Sequence, residues 1–246
     1  RGEEWRRDWH PEKVLPRHAS ENVLVVGGGP AGLEAARILG LRGYGVTLAE
    51  ATEELGGRVS NESLLPGLSE WIRVRDYRIQ QLVKMPNVEI YLDSRLDAGQ
   101  IIEYGFEHVC IATGAYWRKD GTGRFNFLPM EGWDLDGVLS VDEVMAGSKI
   151  KGSVVIFDDD HFYMGGILAE KLKTAGHEVL LVTSSGDLSP IANGTLEQGR
   201  IQARVLELGI ELITAQSIIQ FDGTHVTLAC GYTGQRKKRL CNTYIP

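Results

Sequence analysis

The chain has 246 residues, 43% hydrophobic and 24% charged, which describes an ordinary folded protein of one large or two modest domains and excludes an intrinsically disordered one. Its 26 Lys and Arg against 33 Asp and Glu leave a net charge of −7, which argues against broad binding to nucleic acid or to anionic membranes. No apolar run approaches the roughly 18 residues of a bilayer-spanning helix and no signal peptide opens the chain, so a cytoplasmic setting is expected.

Residues 1–20 mix charge, Trp5, Trp9 and two prolines without a period, and read as a linker whose indoles pack on something adjacent. Asn22–Val26 (NVLVV) reads as a buried strand, Pro30–Leu41 as a helix with Leu33, Ala36 and Leu39 on one face, and Val46–Ala49 as a second strand. Together they make a βαβ unit of the usual length, about 30 residues. A helix is expected over 69–84, and strands over 88–92 and 108–112 (HVCIA). Residues 116–136 show no period, and the next regular pattern begins at Ser153. From there the order restarts, with a strand at 153–157, a helix at 166–175, a strand at 178–183, a helix near 195–208, and strands near 210–220 and 225–229. The expected fold class is α/β, with two doubly wound Rossmann-like units, 21–150 and 151–246, the second incomplete. Because the chain opens on Arg1 and closes on Tyr244-Ile245-Pro246 in what still reads as a strand, a piece of a longer protein is expected.

Gly27-Gly28-Gly29-Pro30-Ala31-Gly32 satisfies G-x-G-x-x-G between a strand and a helix. Gly27 permits the tight turn, Gly29 lets backbone approach a pyrophosphate, and Gly32 lets helix and strand pack closely. Pro30 falls in the first helical turn, where a missing N–H costs nothing, and the positive helix end faces the phosphates. Glu50, 18 residues after Gly32, is placed to accept hydrogen bonds from the adenosine ribose and to repel a 2′-phosphate. Gly56-Gly57-Arg58 supplies a loop without bulk and a guanidinium that can lie over adenine or reach phosphate. Ala112-Thr113-Gly114-Ala115 places small residues where the chain passes a bound dinucleotide. The expected ligand is ADP or FAD.

These features resemble those of the two-dinucleotide-binding flavoproteins. More specifically, GEE…WHPEK at 2–13, LPGL at 65–68, Trp71, Asp76-Tyr77-Arg78, IATGAYWRKDG at 111–121 and AEKLKTAGHEV at 169–179 resemble the C-terminal portion of the trimethylamine, dimethylamine and histamine dehydrogenases. The related 2,4-dienoyl-CoA reductases share a looser version. The resemblance implies an oxidoreductase whose old-yellow-enzyme-like N-terminal barrel carries covalently bound FMN and a 4Fe-4S cluster, with residues 1–20 as the exit from that barrel. It implies ADP contacts from Gly27, Gly29, Gly32, Glu50 and Arg58, an electron-transferring flavoprotein as partner, and no catalytic residue in this part. Cys110, Cys230 and Cys241 are too scattered to build the cluster or a zinc site. A homodimer is left open, and so is the amine.

Where a working nicotinamide site carries glycines, the second unit has Asp158-Asp159-Asp160-His161. Each carboxylate near a pyrophosphate costs roughly 1 to 4 kcal/mol at ~4 Å. The aligned second strand ends Val182-Thr183-Ser184 without a ribose-binding acid. The expectation is a unit that kept its architecture and lost its cofactor, with a metal site at Asp158, Asp160 and His161 as the lesser reading. Two rivals follow: an NADH-dependent flavin reductase, and a non-catalytic scaffold stabilised by ADP. The six histidines form no nucleophile motif. Arg236-Lys237-Lys238-Arg239 reads as a solvated hairpin turn, or as a docking patch for an acidic partner.

Overall fold

The structure, a computed structural model, is described here for residues 14–246, so most of the expected linker lies outside the described residues. The chain divides into two compact units, one holding the residues up to Leu64 with Leu68–Ala115, the other Leu65–Gly67 with Tyr116–Pro246.

In the first unit β1 (Asn22–Val26), β2 (Gly45–Ala49), β3 (Val88–Tyr91) and β4 (His108–Ile111) form a parallel sheet of order β3-β2-β1-β4. Val26 stands opposite Ala49 on one side and Ile111 on the other. The apolar run of β1 has no polar face because both sides are covered. Val23 and Val25 meet Leu33 and Ala36 of α1 (Pro30–Arg42), whereas Leu24 and Val26 meet Leu96, Ile101 and Phe106. Gly43 ends α1 at φ 91°, its N–H donating to Gly40 O at 2.9 Å, a left-handed cap that a Cβ would strain. A five-residue helix, α2 (Arg58–Glu62), precedes the expected helix over 69–84, which resolves into a 3₁₀ turn at Ser69–Trp71 and α3 (Ile72–Leu82). Sequence periodicity missed α4 (Ala98–Glu103), which is too short to show a period. A reciprocal box fixes it, in which Gln100 N–H donates to Asp97 and Asp97 N–H to the Gln100 side chain, each at 2.9 Å.

The second unit repeats the plan. After α5 (Val141–Met145) come β5 (Val154–Asp158), α6 (Met164–Thr174), β6 (Val179–Thr183), α7 (Gln198–Glu207) and β7 (Glu211–Ile213). Then follow β8 (Gln216–Phe221), β9 (His225–Cys230), β10 (Arg236–Leu240) and β11 (Thr243–Ile245). The parallel sheet has order β11-β5-β6-β7, and β10-β9-β8 form an antiparallel meander. The expected strand over 210–220 is two strands in different sheets, broken at Ala215, which takes φ 54°.

Two expectations need correction. The boundary falls at Ala115/Tyr116 instead of near 150, because the irregular chain after Tyr116 belongs to the second core. Met130 and Val138 are buried in it beside Phe157, Phe221 and Tyr244, and Val138 bridges to Tyr244. The box of Ser140 and Glu143 caps α5 within this stretch. The basic run is not a turn either. Arg236–Leu240 pairs antiparallel with β9, from Arg236 opposite Ala229 to Leu240 opposite His225. Cations suit an edge strand because they discourage further pairing, and two are partnered, Lys238 by Asp222 at 2.9 Å and Arg239 by Glu211. No helix among the described residues is long and apolar enough to cross a membrane.

Candidate nucleotide-binding site

In the first unit the chain steps from β1 outward to β3 and returns beside β1 as β4, so strand order reverses between β1 and β4. Ligands of open α/β sheets bind at that reversal. Gly27 stands there at φ 106°, its N–H donating to Ala49 O at 2.8 Å, and a Cβ on it would lie 2.4 Å from Ala112 O. A Cβ on Gly32 would lie 1.8 Å from Gly27 O. Both glycines are consumed by close packing of backbone on backbone. Gly29 differs: its φ of −72° suits any residue, and a Cβ there would meet nothing within 4 Å. That open space lies before the first turn of α1, where Pro30 has no N–H and those of Ala31 and Gly32 precede the first helical bond, from Leu33 N–H to Gly29 O at 2.9 Å. No side chain caps this end and no acid stands in its first turn. An anion therefore meets unspent donors and the positive end of the helix dipole.

Glu50, just past β2, is 8% exposed. Its Oε2 accepts from Gly28 N–H at 2.6 Å, and its Oε1 from Thr52 N–H and Thr52 Oγ1, both at 2.9 Å. Of the roughly four acceptor sites of a carboxylate, two are filled by N–H groups and a third by a hydroxyl that also faces Glu54 O at 3.0 Å, which fixes the group at the glycine turn and leaves about one for a further donor. Thr52 and Leu55, whose Cδ2 would lie 2.5 Å from a Cβ on Gly28, were not singled out by the sequence. A hydroxyl two residues after Glu50 was the available signal.

Gly56 N–H donates to Gly28 O at 2.8 Å, and Gly57, at φ 52°, would set a Cβ 3.2 Å from Gly29 Cα. The guanidinium of Arg58 donates to Ala115 O and lies 3.8 Å from Glu62. It ties the 56–58 loop to the segment after β4. Thr113 Cα would lie 3.2 Å from a Cβ on Gly27, and Gly114, at φ 77°, faces open space. Gly27 to Gly32, Glu50, Gly57, Arg58 and Thr113 to Ala115 are thus brought together within one unit.

The matching turn of the second unit is built differently. A Cβ on Gly32 would abut Gly27, five residues earlier; a Cβ on Gly165 would lie 2.8 Å from Asp158 Cβ, seven residues earlier, so this turn is two residues longer. Asp159, Ser184 and His161 are already engaged. Asp159 accepts from Phe125 N–H at 2.9 Å and from Ser184 Oγ at 3.3 Å, and Ser184 Oγ is 3.0 Å from His161 Nε2. Asp158 is 2% exposed, and burial, with Asp160 and Asp159 nearby, pushes its carboxyl up to about 7 despite the N–H groups of His161 and Ser189. Burial also raises Asp160, against the nearby Arg124, and lowers His161. Among the described residues no three His, Cys, Asp or Glu side chains converge as a metal ion requires.

Residues 25–94 match the family model of the NAD(P)-binding Rossmann-like domain, and residues 139–242 that of the OYE-like second alpha/beta domain. Dimethylamine dehydrogenase of Hyphomicrobium sp. (strain x) is 42% identical over 220 residues, 86% of this chain and 30% of its own length. The structure of histamine dehydrogenase from Rhizobium sp. 4-9 superposes with a TM-score of 0.94 at 48% identity, covering 99% of this chain and 38% of that one. The 6-hydroxypseudooxynicotine amine oxidase of Pseudomonas geniculata N1 gives 0.95 at 41%, covering 99% and 37%. The chain spans about a third of the length of these relatives. Matched over nearly all of its length, the chain is a close homologue of about a third of dimethylamine dehydrogenase and of histamine dehydrogenase.

Proposed function

We propose that the first unit binds the ADP moiety of an adenine nucleotide, ADP itself or FAD, and that the chain is the nucleotide-binding portion of an amine-oxidising iron-sulfur flavoprotein. The observation that carries the reading is Gly29, a residue with no backbone reason to be glycine, whose missing side chain leaves space before a helix end rich in free donors. In this reading the N–H groups of Ala31 and Gly32 meet the diphosphate, and Glu50 takes a ribose hydroxyl and rejects a 2′-phosphate. Arg58, through Ala115, holds the loop over the turn.

A 4Fe-4S cluster does not fit this chain. Cys110 lies in β4, while Cys230 and the buried Cys241 belong to the other unit, and no cluster of ligands forms among the described residues. Oxidation of the amine, with transfer of electrons to an electron-transferring flavoprotein, belongs in this proposal to a barrel elsewhere in the parent protein, and the part described here binds and positions. The reductase reading requires nicotinamide at the second turn, where Asp159 is spent on Phe125 and Ser184.

Denaturing extraction of the purified chain, with chromatography of what is released, tests the assignment, followed by calorimetric titration of the stripped chain with ADP. One adenine nucleotide per chain, or saturable binding of ADP at micromolar concentration, is expected. Recovery of no adenine nucleotide together with saturable binding of NADH in its place overturns it.

A further inference from the structure

The cations Arg236-Lys237-Lys238-Arg239 run against the sign of a chain that carries 33 acids to 26 Lys and Arg, and the nucleotide site does not use them. They lie in β10, which has β9 on one side and, among the described residues, no strand on the other. The ladder shows which backbone groups that open side presents. Cys230 N–H donates to Gln235 O at 2.9 Å and Cys241 N–H to Thr224 O at 2.8 Å, so Gln235, Lys237, Arg239 and Cys241 are the residues turned toward β9. Arg236, Lys238 and Leu240 point their N–H and C=O groups the other way, where nothing among the described residues meets them. An edge of this kind takes an added strand.

The side chains decide what can pair there. Lys237 and Arg239 stand opposite the buried Leu228 and Val226 and share the face toward the core, whereas Arg236, Lys238 and Leu240 share the outer face. Lys238 is held by Asp222 and Arg239 by Glu211. Arg236 and Lys237 are exposed, one on each face, and have no ion-pair partner among the described residues. Leu240, 57% exposed, adds an apolar contact on the outer face. A second copy of β10 would set cation opposite cation, which is destabilising, so the run that guards this edge against self-association selects for the opposite sign.

We propose that β10 is a docking edge for an acidic, extended segment of a partner protein, which adds as a strand to the β10-β9-β8 sheet. Adjacent carboxylates of that segment face Arg236 and Lys237, and an apolar side chain rests on Leu240. The edge belongs to the second unit alone and does not depend on the nucleotide assignment.

The test is titration of the purified chain, at constant ionic strength and read by fluorescence anisotropy, with a labelled peptide of sequence Leu-Thr-Val-Glu-Glu-Thr, blocked at both ends. Laid antiparallel, it sets Leu on Leu240 and the two acids on Lys237 and Arg236. Saturation below millimolar concentration is expected, and none for the same peptide with Lys-Lys in place of Glu-Glu. Two N-methylated isomers of equal charge, methylated on alternate residues, separate strand addition from attraction by charge alone. Methylation of the amides that face β10 should abolish binding, and methylation of the other set should leave affinity within about twofold. Arg236→Glu combined with Lys237→Glu should weaken the acidic peptide at least about fivefold and admit the Lys-Lys peptide, with affinity for ADP unchanged. Absence of saturation at millimolar peptide, equal affinity of the two N-methylated isomers, undiminished affinity in the doubly substituted chain, or saturable binding of single-stranded oligothymidylate in place of the acidic peptide overturns the proposal.

Discussion

Gly29 and Gly32 stand three residues apart in one motif, and a single methyl group separates their roles. In Gly32→Ala the new Cβ would fall 1.8 Å from Gly27 O, a backbone atom that can retreat only by separating α1 from β1. Overpacking of this kind costs at least about 1 to 3 kcal/mol, and opening a helix–strand contact adds to it. In Gly29→Ala the Cβ meets nothing within 4 Å and φ is −72°. Alanine gains roughly 0.4 to 1 kcal/mol from a stiffer unfolded chain and loses a similar amount as a poor N-cap, so stability should stay within about 0.5 kcal/mol of wild type. The same methyl group occupies the space assigned to the diphosphate and should weaken ADP binding at least about tenfold, or 1.4 kcal/mol. Urea unfolding read by circular dichroism measures the first quantity and calorimetry the second. Gly29→Ala with wild-type affinity for ADP would falsify the assignment of that space, and Gly32→Ala with wild-type stability would refute the packing argument.

Other expectations concern single groups. Asp158 is held at about 7 when folded and near 3.8 when unfolded, so folding favours its proton; its contribution is complete below about pH 4 and is lost as pH rises through 7. The interval amounts to about 4 kcal/mol. Asp158→Asn should match wild type in urea at pH 4 and exceed it by up to that amount at pH 8, with Asp159, Asp160 and His161 left in place; a gap independent of pH contradicts this. Arg58→Ala removes the bond to Ala115 O and should weaken ADP several-fold while exposing the 112–115 segment to proteolysis. An unchanged cleavage rate argues against the clasp. Thr52→Ala removes the hydroxyl donor to Glu50 Oε1 while the N–H of residue 52 still donates, and should raise the Kd for ADP about threefold, without the larger loss expected of Glu50→Gln. Equal effects of the two substitutions contradict that ranking.

The first unit was legible because its signals are local. The glycine turn, the apolar run of β1 and the acid after β2 lie within one βαβ unit, where chain geometry alone sets their spacing. What escaped the sequence was either short or distant. α4 and α5 are too brief to show a helical period, although Asp97 with Gln100 and Ser140 with Glu143 carry the capping signature. The cations of β10 hide its alternation, because an exposed edge strand has no buried face to mark. The bond from Arg58 to Ala115 spans 57 residues, and nothing in either neighbourhood announces the other. The unit boundary was misplaced for a related reason: Met130 and Val138 join the second core from irregular chain, where burial leaves no period to read.

The longer turn between Asp158 and Gly165 bears on evolutionary reversibility. Replacing the three aspartates one by one would remove repulsion yet leave a bend two residues longer than the Gly27–Gly32 turn. Giving the second unit the turn of the first calls for excision of two residues together with those replacements, a coordinated change that single substitutions do not reach.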